Sequence, residues 1–215
     1  MKMKTKRKAL LLSLCAVLLV VASVMGTMAY LTSSDTVTNT FTVGKVQITL
    51  DEAAVNLDGT PIEGAARVKQ NSYKLLPGLT YTKDPTVTVK AGSEPSYVKM
   101  TVTFTMAKEL DAIFAPSGAD MTSIFNGYDS TNWIDKGNTE DTVKNTRTYE
   151  FWYKETVAAP TADVVLDALF DSITVPDSIT KEQLDTIKGM TITVNAYAIQ
   201  ADGFADAADA WSKLK

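Results

Sequence analysis

A change of hydrophobic pattern between residues 26 and 50 constrains this chain most. A basic cluster and an apolar run lie upstream, and downstream the side chains alternate with a period of two. One face of this alternation carries Val37, Asn39, Phe41 and Val43, and the other carries threonines. Successive side chains of a strand point to opposite faces, so the pattern predicts a half-buried β-strand. The alternative is a polar linker over residues 30–36 before a strand that begins at Phe41.

The alternation changes parity at Gly44, after which Val46, Ile48 and Leu50 continue the apolar face. One extra residue beside a glycine is typical of a β-bulge. We therefore expect one bent strand, or two strands that meet at a kink. It should begin within about ten residues of the end of the leader, given the usual uncertainty of element boundaries.

The first 29 residues have the layout of a secretory signal peptide. The first eight contain five lysines and arginines, and residues 9–25 form an apolar run interrupted by two serines. Thr27 and Ala29 are small residues in the positions that a signal peptidase reads, which predicts cleavage between Ala29 and Tyr30. We therefore expect residues 1–29 to form an N-terminal apolar signal helix and residues 30–215 to form a single secreted domain.

Other kinds of attachment fit the sequence less well. An uncleaved membrane anchor is the alternative, because the apolar run lies at the short limit for spanning a bilayer. A lipoprotein is rejected, since the large residue Leu14 precedes Cys15 in the middle of the run. Sortase anchoring is not supported, because the internal Leu76-Pro77-Gly78 lacks the LPxTG order and no apolar tail follows Trp211.

Composition excludes several classes of function. After position 29 the chain holds 16 basic and 25 acidic residues, a net charge of −9, which argues against nucleic-acid and anionic-membrane partners. The one cysteine, Cys15, lies in the leader, so the mature domain has no disulfide and no thiolate ligand. The absence of histidine excludes the HExxH zinc site and the Ser-His-Asp triad. Carboxylate pairs and Ser-Lys dyads stay open, but we expect no enzyme activity, no cofactor and no metal site.

The rest of the chain alternates strand patterns with turn signals. The clearest strand pattern covers residues 97–106, where one face carries Val98, Met100, Val102, Phe104 and Met106. Further strands are predicted at residues 81–90, 148–154, 164–175 with a bend near Leu169 and Phe170, and 190–200 with Ile192, Val194, Ala196 and Ala198 inward. About seven strands with few helices indicate an antiparallel β-sandwich.

Turns, helices and one irregular region complete the prediction. Turns are expected at residues 58–61, 76–78 and 91–95. Short helices are expected at residues 107–114, at 177–188 with Ser178 as its cap, and at 204–214 with Ala207, Ala208 and Trp211 on the docking face. Residues 117–146 are predicted to be irregular, anchored by Tyr128 and Trp133, and a candidate interaction surface.

Three parts of the chain together resemble the TasA/camelysin family of secreted biofilm-matrix proteins. They are the junction GTMAYLTSSDTVTNTFTVGKVQITL, the element Leu76-Pro77-Gly78 followed by Lys83-Asp84-Pro85, and the ending AYAIQADGF with Ala210-Trp211. The resemblance implies a jelly-roll-like sandwich exported by a Gram-positive bacterium. It implies as partner a signal peptidase of the endoplasmic-reticulum (SipW-like) type, with membrane contact only through the leader.

The resemblance also implies a way of assembly. Some relatives form fibres by donating the N-terminal strand to the next subunit, which in this chain is the strand with Val37, Asn39, Phe41 and Val43. Pairing of that strand within its own domain is the alternative. Camelysin-like members are described as metalloproteases, but this chain has no histidine and no substitute cluster, so that activity is not carried over.

Non-catalytic structural proteins of the extracellular matrix or cell surface are therefore the leading class. The alternative is a secreted binding module for a glycan or protein, with Tyr128, Trp133 and Trp152 as stacking residues, although packing is the favoured role for each. Asp202, Asp206 and Asp209 are candidate calcium ligands, but their spacing is not that of an EF-hand loop. The favoured interpretation is that these three residues belong to the surface of a helix.

Overall fold

The computed structural model describes residues 14–16, 44–114 and 125–214. Leu14–Ala16 are helical, and the other described residues belong to one unit, Val43–Lys215. The predicted cleavage site at Ala29 and Tyr30 lies outside the described residues. So do most of the predicted signal helix and the strand with Val37, Asn39, Phe41 and Val43.

The fold of the described residues is mainly β, as predicted, with short helices. The strands are β1 Ile48–Asp51, β2 Thr80–Thr82, β3 Thr86–Val89, β4 Ser96–Thr105, β5 Phe125–Asn126, β6 Trp133–Asp141, β7 Thr146–Tyr153, β8 Val164–Val165, β9 Ser172–Thr174 and β10 Ile192–Gln200. The helices are α1 Ala107–Phe114, α2 Lys181–Thr186 and α3 Ala207–Lys213.

These strands form three antiparallel sheets. One has four strands in the order β10-β4-β7-β6, and two have three strands, in the orders β1-β3-β8 and β2-β9-β5. Backbone hydrogen bonds continue between the two smaller sheets, where the N–H groups of Leu166, Leu169 and Lys83 donate to the carbonyls of Val87, Pro85 and Asp171. The smaller sheets are therefore two ends of one bent ribbon.

The hydrophobic core contains side chains of both the four-stranded sheet and the ribbon. On β4 the predicted alternation is confirmed, because Val98, Met100 and Val102 are fully buried and the residues between them are half-buried. The ribbon and its connections contribute the buried side chains Val87, Val89, Phe125, Leu166, Leu169, Phe170 and Ile173 to the same cluster. The arrangement resembles a sandwich of two layers, as the strand pattern predicts.

β3 is covered on both faces, although valines and threonines alternate along it. All four residues of β3 are buried. The reason is a long excursion, residues 53–79, part of which is held against this end of the ribbon. Arg67 from the excursion donates to the Thr86 hydroxyl at 2.9 Å and forms ion pairs with Asp51 and Asp84.

Gly44 precedes β1 without a left-handed φ. A Cβ atom at this position would lie 2.7 Å from Glu94 Cγ, so the glycine permits a close approach to that side chain. The carbonyls of Lys45 and Gln47 accept from the N–H groups of Glu94 and Lys90, both at 2.9 Å. Residues 45–47, which precede β1, therefore already pair with the segment that follows β3. The predicted bulge also involves residues before Gly44, which lie outside the described part of the chain, so it stays a prediction.

The prediction that residues 117–146 are irregular is wrong for a large part of that range. β5 and β6 lie within it, and β6 pairs with β7 at the edge of the four-stranded sheet. Only Trp133 of β6 is buried, so the strand shows no alternation that a sequence pattern could reveal. Trp133 does anchor the region as predicted, since its Nε1 donates to the Asp167 carbonyl and its own carbonyl accepts from the Tyr128 hydroxyl, both at 3.0 Å.

The predicted segment over residues 164–175 divides into β8 and β9 at the expected bend, where Leu169 and Phe170 are fully buried. The predicted turn at Leu76-Pro77-Gly78 is confirmed, because Gly78 has a φ of 75° and the Leu79 N–H donates to the Leu76 carbonyl. A glycine in the third position is what a type II turn requires.

Two details of the helices correct the sequence analysis. Ser178 is not the cap of α2; Thr180 is, in a capping box with Gln183. On α3 the buried residues are Ala210 and Trp211, whereas Ala208 is exposed. Trp211 therefore docks as predicted, but the docking face is rotated away from Ala208.

Candidate interaction edge

One long edge of the four-stranded sheet has no strand beside it in the described part of the chain. β10 pairs with β4 over nine residues in continuous register, from Ile192 opposite Phe104 to Gln200 opposite Ser96. The Thr105 N–H donates to the Thr191 carbonyl, and the Ala201 N–H donates to the Pro95 carbonyl. Odd-numbered residues therefore form the hydrogen-bonded pairs with β4, and the even-numbered ones direct N–H and C=O outward. We call this row of backbone groups, at Ile192, Val194, Ala196, Ala198 and Gln200, the β10 edge.

The β10 edge lacks the features that protect exposed strands. Its sequence, ITVNAYAIQ, has no charge and no proline, and its register has no shift. β6, the other edge of this sheet, carries Asp135, Lys136, Glu140 and Asp141 and has a register shift between Asp135 and Asn138. Charges and bulges prevent an edge from pairing with another chain. The two edges of one sheet thus differ, and among the described residues β10 has neither a second partner strand nor these protective features.

Apolar side chains beside the β10 edge are incompletely covered. Ile192, Val194, Ala196 and Ala198 pack against the core but stay half-buried, whereas their neighbours on β4 are fully buried. Ile48 and Leu50 of β1 are half-buried as well. Cα atoms of β1 and β10 approach within 8 Å, although the two strands belong to different sheets. We call these six incompletely covered side chains, which lie beside the β10 edge, the apolar slot.

The three aromatic residues considered for glycan stacking do not form one surface. Trp133 is 1% exposed, and Tyr128 packs on the buried Phe151 with ring centroids 5.6 Å apart. Burial, followed by the negative charge of Asp135, raises the pKa of Tyr128. Trp152 follows Phe151 on β7 and so faces the opposite side of the sheet, where Lys136 Nζ lies 4.3 Å from its ring centroid.

Trp152 belongs to a packed layer under α3. Its ring centroid is 6.4 Å from that of Trp211, and Lys99 Nζ lies 4.9 Å from the Trp211 ring. Lys99 also forms an ion pair with Glu150 at 3.1 Å. Cation–π contacts of this kind stabilise a packed aromatic layer, so Trp152 is a docking residue for the C-terminal helix.

The acidic residues near the C-terminus hold the helix. The Asp206 carboxylate accepts from the Asp209 N–H at 2.9 Å and caps α3. The Asp209 carboxylate accepts from the Ala205 N–H, and the Asp202 carbonyl accepts from Gln200 Nε2. Within the ranges that the structure describes, no three acidic or cysteine side chains are grouped as a metal site.

Comparison with known proteins adds no relative. No family model, curated protein or solved structure matches this chain. None of the helices in the described residues has the length and hydropathy needed to cross a membrane. Among the described residues, the β10 edge is the feature that bears most directly on function.

Proposed function

We propose that this chain is an exported, non-catalytic structural protein of the extracellular matrix or cell surface that self-associates by strand addition. In this proposal the sandwich is jelly-roll-like and the added strand pairs with the β10 edge. The observation that carries it is the nine-residue edge with no charge, no proline and no register shift. Main-chain hydrogen bonds to such an edge give affinity, and slots for alternate side chains give specificity.

Residues 30–43 of another copy are the strand that we propose to add. They contain one charged residue, Asp35, and no proline. Their apolar side chains Val37, Phe41 and Val43 repeat on one face at the spacing of a strand and match the apolar lining of the slot. Asn39 shares that face. Gly44 does not have the left-handed φ that a tight reversal of the chain at this position would need, and the next residues, Lys45 and Gln47, already pair with a neighbouring segment. Both observations favour exchange of the strand between copies.

Deleting residues 30–40 is expected to abolish polymers and leave a soluble monomer, because the core of residues 44–214 contains its own buried cluster. A synthetic peptide of residues 30–43 should then bind the truncated protein. Phe41→Asp in the peptide should weaken binding about tenfold or more, since it places a charge in an apolar slot. Size-exclusion chromatography, electron microscopy and titration of the labelled peptide measure these outcomes.

The matched control for the peptide is Thr40→Asp, which changes the opposite face and should bind nearly as the unchanged peptide does. If the truncated protein instead melts lower and aggregates, the strand completes its own domain. A mature protein that stays monomeric at high concentration contradicts self-association and leaves the binding module as the alternative.

Export through the leader is the second part of the proposal. The mature protein should begin at Tyr30, because Thr27 and Ala29 fit the small-residue positions of a signal peptidase site. N-terminal sequencing of the exported protein tests this. Ala29→Leu should leave the precursor uncut, whereas a start far from Tyr30 or an efficiently processed Ala29→Leu variant would contradict the assignment.

A further inference from the structure

Three polar side chains meet beside the buried end of the ribbon. Lys83 lies between β2 and β3, Glu52 follows β1, and Asn71 belongs to the excursion. Lys83 Nζ is 2.6 Å from Glu52 Oε2, and Asn71 Nδ2 donates to Glu52 Oε1 at 3.0 Å. The two oxygens of one carboxylate therefore hold an amine and a carboxamide side by side.

The charged pair of this cluster is buried, and Asn71 is half-buried. The side chains of Lys83 and Glu52 are only 8% and 10% exposed. Tyr73 lies close by: burial, followed by the negative charge of Glu52, raises the pKa of Tyr73, and its hydroxyl donates to the Thr82 carbonyl. Taking two charges out of water is costly, and the close contact between the opposite charges offsets part of that cost.

The carboxamide of Asn71 is positioned as an electrophile. The Val55 N–H donates to Asn71 Oδ1 at 3.2 Å, where negative charge would develop if a nucleophile attacked Cγ. Asn71 Nδ2 donates to both the Ala53 carbonyl and Glu52 Oε1, so the amide plane is fixed. A nucleophile, a proton carrier, an electrophile and an oxyanion donor are thus present in one site.

We propose that Lys83 and Asn71 join in an intramolecular isopeptide bond, with Glu52 as the proton carrier. Glu52 first takes one proton from Lys83 Nζ, and the neutral amine attacks Asn71 Cγ while the Val55 N–H stabilises the oxyanion on Oδ1. As the Cγ–Nδ2 bond breaks, Glu52 delivers that proton to the departing nitrogen, which leaves as ammonia. The ionised Glu52 then takes the surplus proton from Nζ, which becomes the amide nitrogen and keeps one hydrogen. One C–N bond forms and one breaks, with no change of oxidation state. The attack requires Lys83 Nζ to turn from Glu52 Oε2 toward Asn71 Cγ by rotation about the terminal bonds of its unbranched stem.

The bond would fasten the excursion to the bend of the ribbon. Asn71 lies in the excursion, outside the strands, whereas the Lys83 N–H donates to the Asp171 carbonyl of the ribbon. The ion pairs of Arg67, which also hold the excursion, are partly exposed and screened by salt, so each stabilises it only weakly. A covalent link between residues 71 and 83 would limit local opening of the excursion where these ion pairs do not. This inference is independent of the β10 edge and of the proposed assembly.

Mass spectrometry of the purified full chain tests the bond. The intact protein should be lighter than its sequence by one ammonia, and a digest should contain a branched peptide that joins residues 71 and 83. Lys83→Arg and Glu52→Gln should each restore the full mass. Lys90→Arg, which changes a lysine ion-paired with Asp163, is the matched control and should keep the loss. Asn71→Asp should lose one water in place of ammonia if the bond still forms.

A succinimide at Asn71 also releases ammonia, so the peptide map decides between the two products. A succinimide leaves Lys83 free, and an endoprotease then cuts after it. Unbranched peptides with cleavage after Lys83 in the unmodified sequence would overturn the proposal, whatever the intact mass. This measurement needs no variant, so it holds even where a variant fails to fold.

Discussion

Val102→Asp is expected to unfold the domain. Val102 is fully buried in the middle of β4, opposite Val194 on one side and Tyr149 on the other. An unpaired carboxylate at such a position costs about 4 kcal/mol or more, which is a large part of the total stability of about 5–15 kcal/mol that is typical of a domain. Thermal and denaturant melts, together with near-ultraviolet circular dichroism, measure the loss.

Thr103→Asp is the matched control, one residue further on the same strand. Thr103 is half-buried on the opposite face, and its hydroxyl hydrogen-bonds that of Thr148 at 2.9 Å. Loss of this bond costs about 1 kcal/mol, so the control should fold. A Val102→Asp protein that melts at the temperature of the unchanged protein would show that the wrong face of β4 has been placed in the core.

Ala196→Pro is expected to abolish assembly and leave the fold nearly unchanged. The N–H of Ala196 points outward from the β10 edge, because even-numbered residues of β10 do not bond β4. Proline removes this donor, and its ring obstructs an incoming strand, while an edge strand tolerates proline where the N–H faces solvent. Sedimentation and electron microscopy of the mature protein measure the loss of polymers, and a thermal melt measures the retained stability.

Asn195→Pro is the control at the neighbouring position. The N–H of Asn195 bonds β4 at Thr101, so proline here leaves the Thr101 carbonyl without its donor and should cost about 2 kcal/mol or more. Ala196→Pro should thus lose assembly and keep its stability, whereas Asn195→Pro should lose stability. Polymers that persist in Ala196→Pro would place the contact at another edge. A strong loss of stability in Ala196→Pro would mean that its N–H bonds within the domain.

The parts of the fold that the sequence predicts well have local causes. The alternation on β4 follows from one buried and one solvated face, and α1 lies where the sequence predicts it, at residues 107–114. β6 was missed because an edge strand rich in charge shows no contrast between its faces. The cap of α2 was missed although the sequence contains the signal, since Thr180 and Gln183 have the spacing of a capping box and Ser178 does not.

The candidate sites depend on contacts that are distant in sequence. That β10 is a strand follows from its alternation, but its place at the edge of the sheet depends on which strands pair. Glu52, Asn71 and Lys83 come together only because the excursion folds back on the ribbon, and no periodicity relates the three positions. The absence of charge over the nine residues 192–200 is the signal for the β10 edge that the sequence contains.

The difference between β6 and β10 has a consequence for the symmetry of any assembly. Two copies that paired β10 with β10 would form a two-fold dimer and use up the open edge, so growth would stop there. If each copy instead receives the terminal strand of one neighbour and gives its own to another, the contact is head-to-tail. Such contacts build an open filament, unless the rotation between successive copies closes a ring. With β6 blocked by charge and a bulge, lateral addition to the same sheet is suppressed. The proposed assembly would thus give thin filaments with a direction in preference to broad sheets.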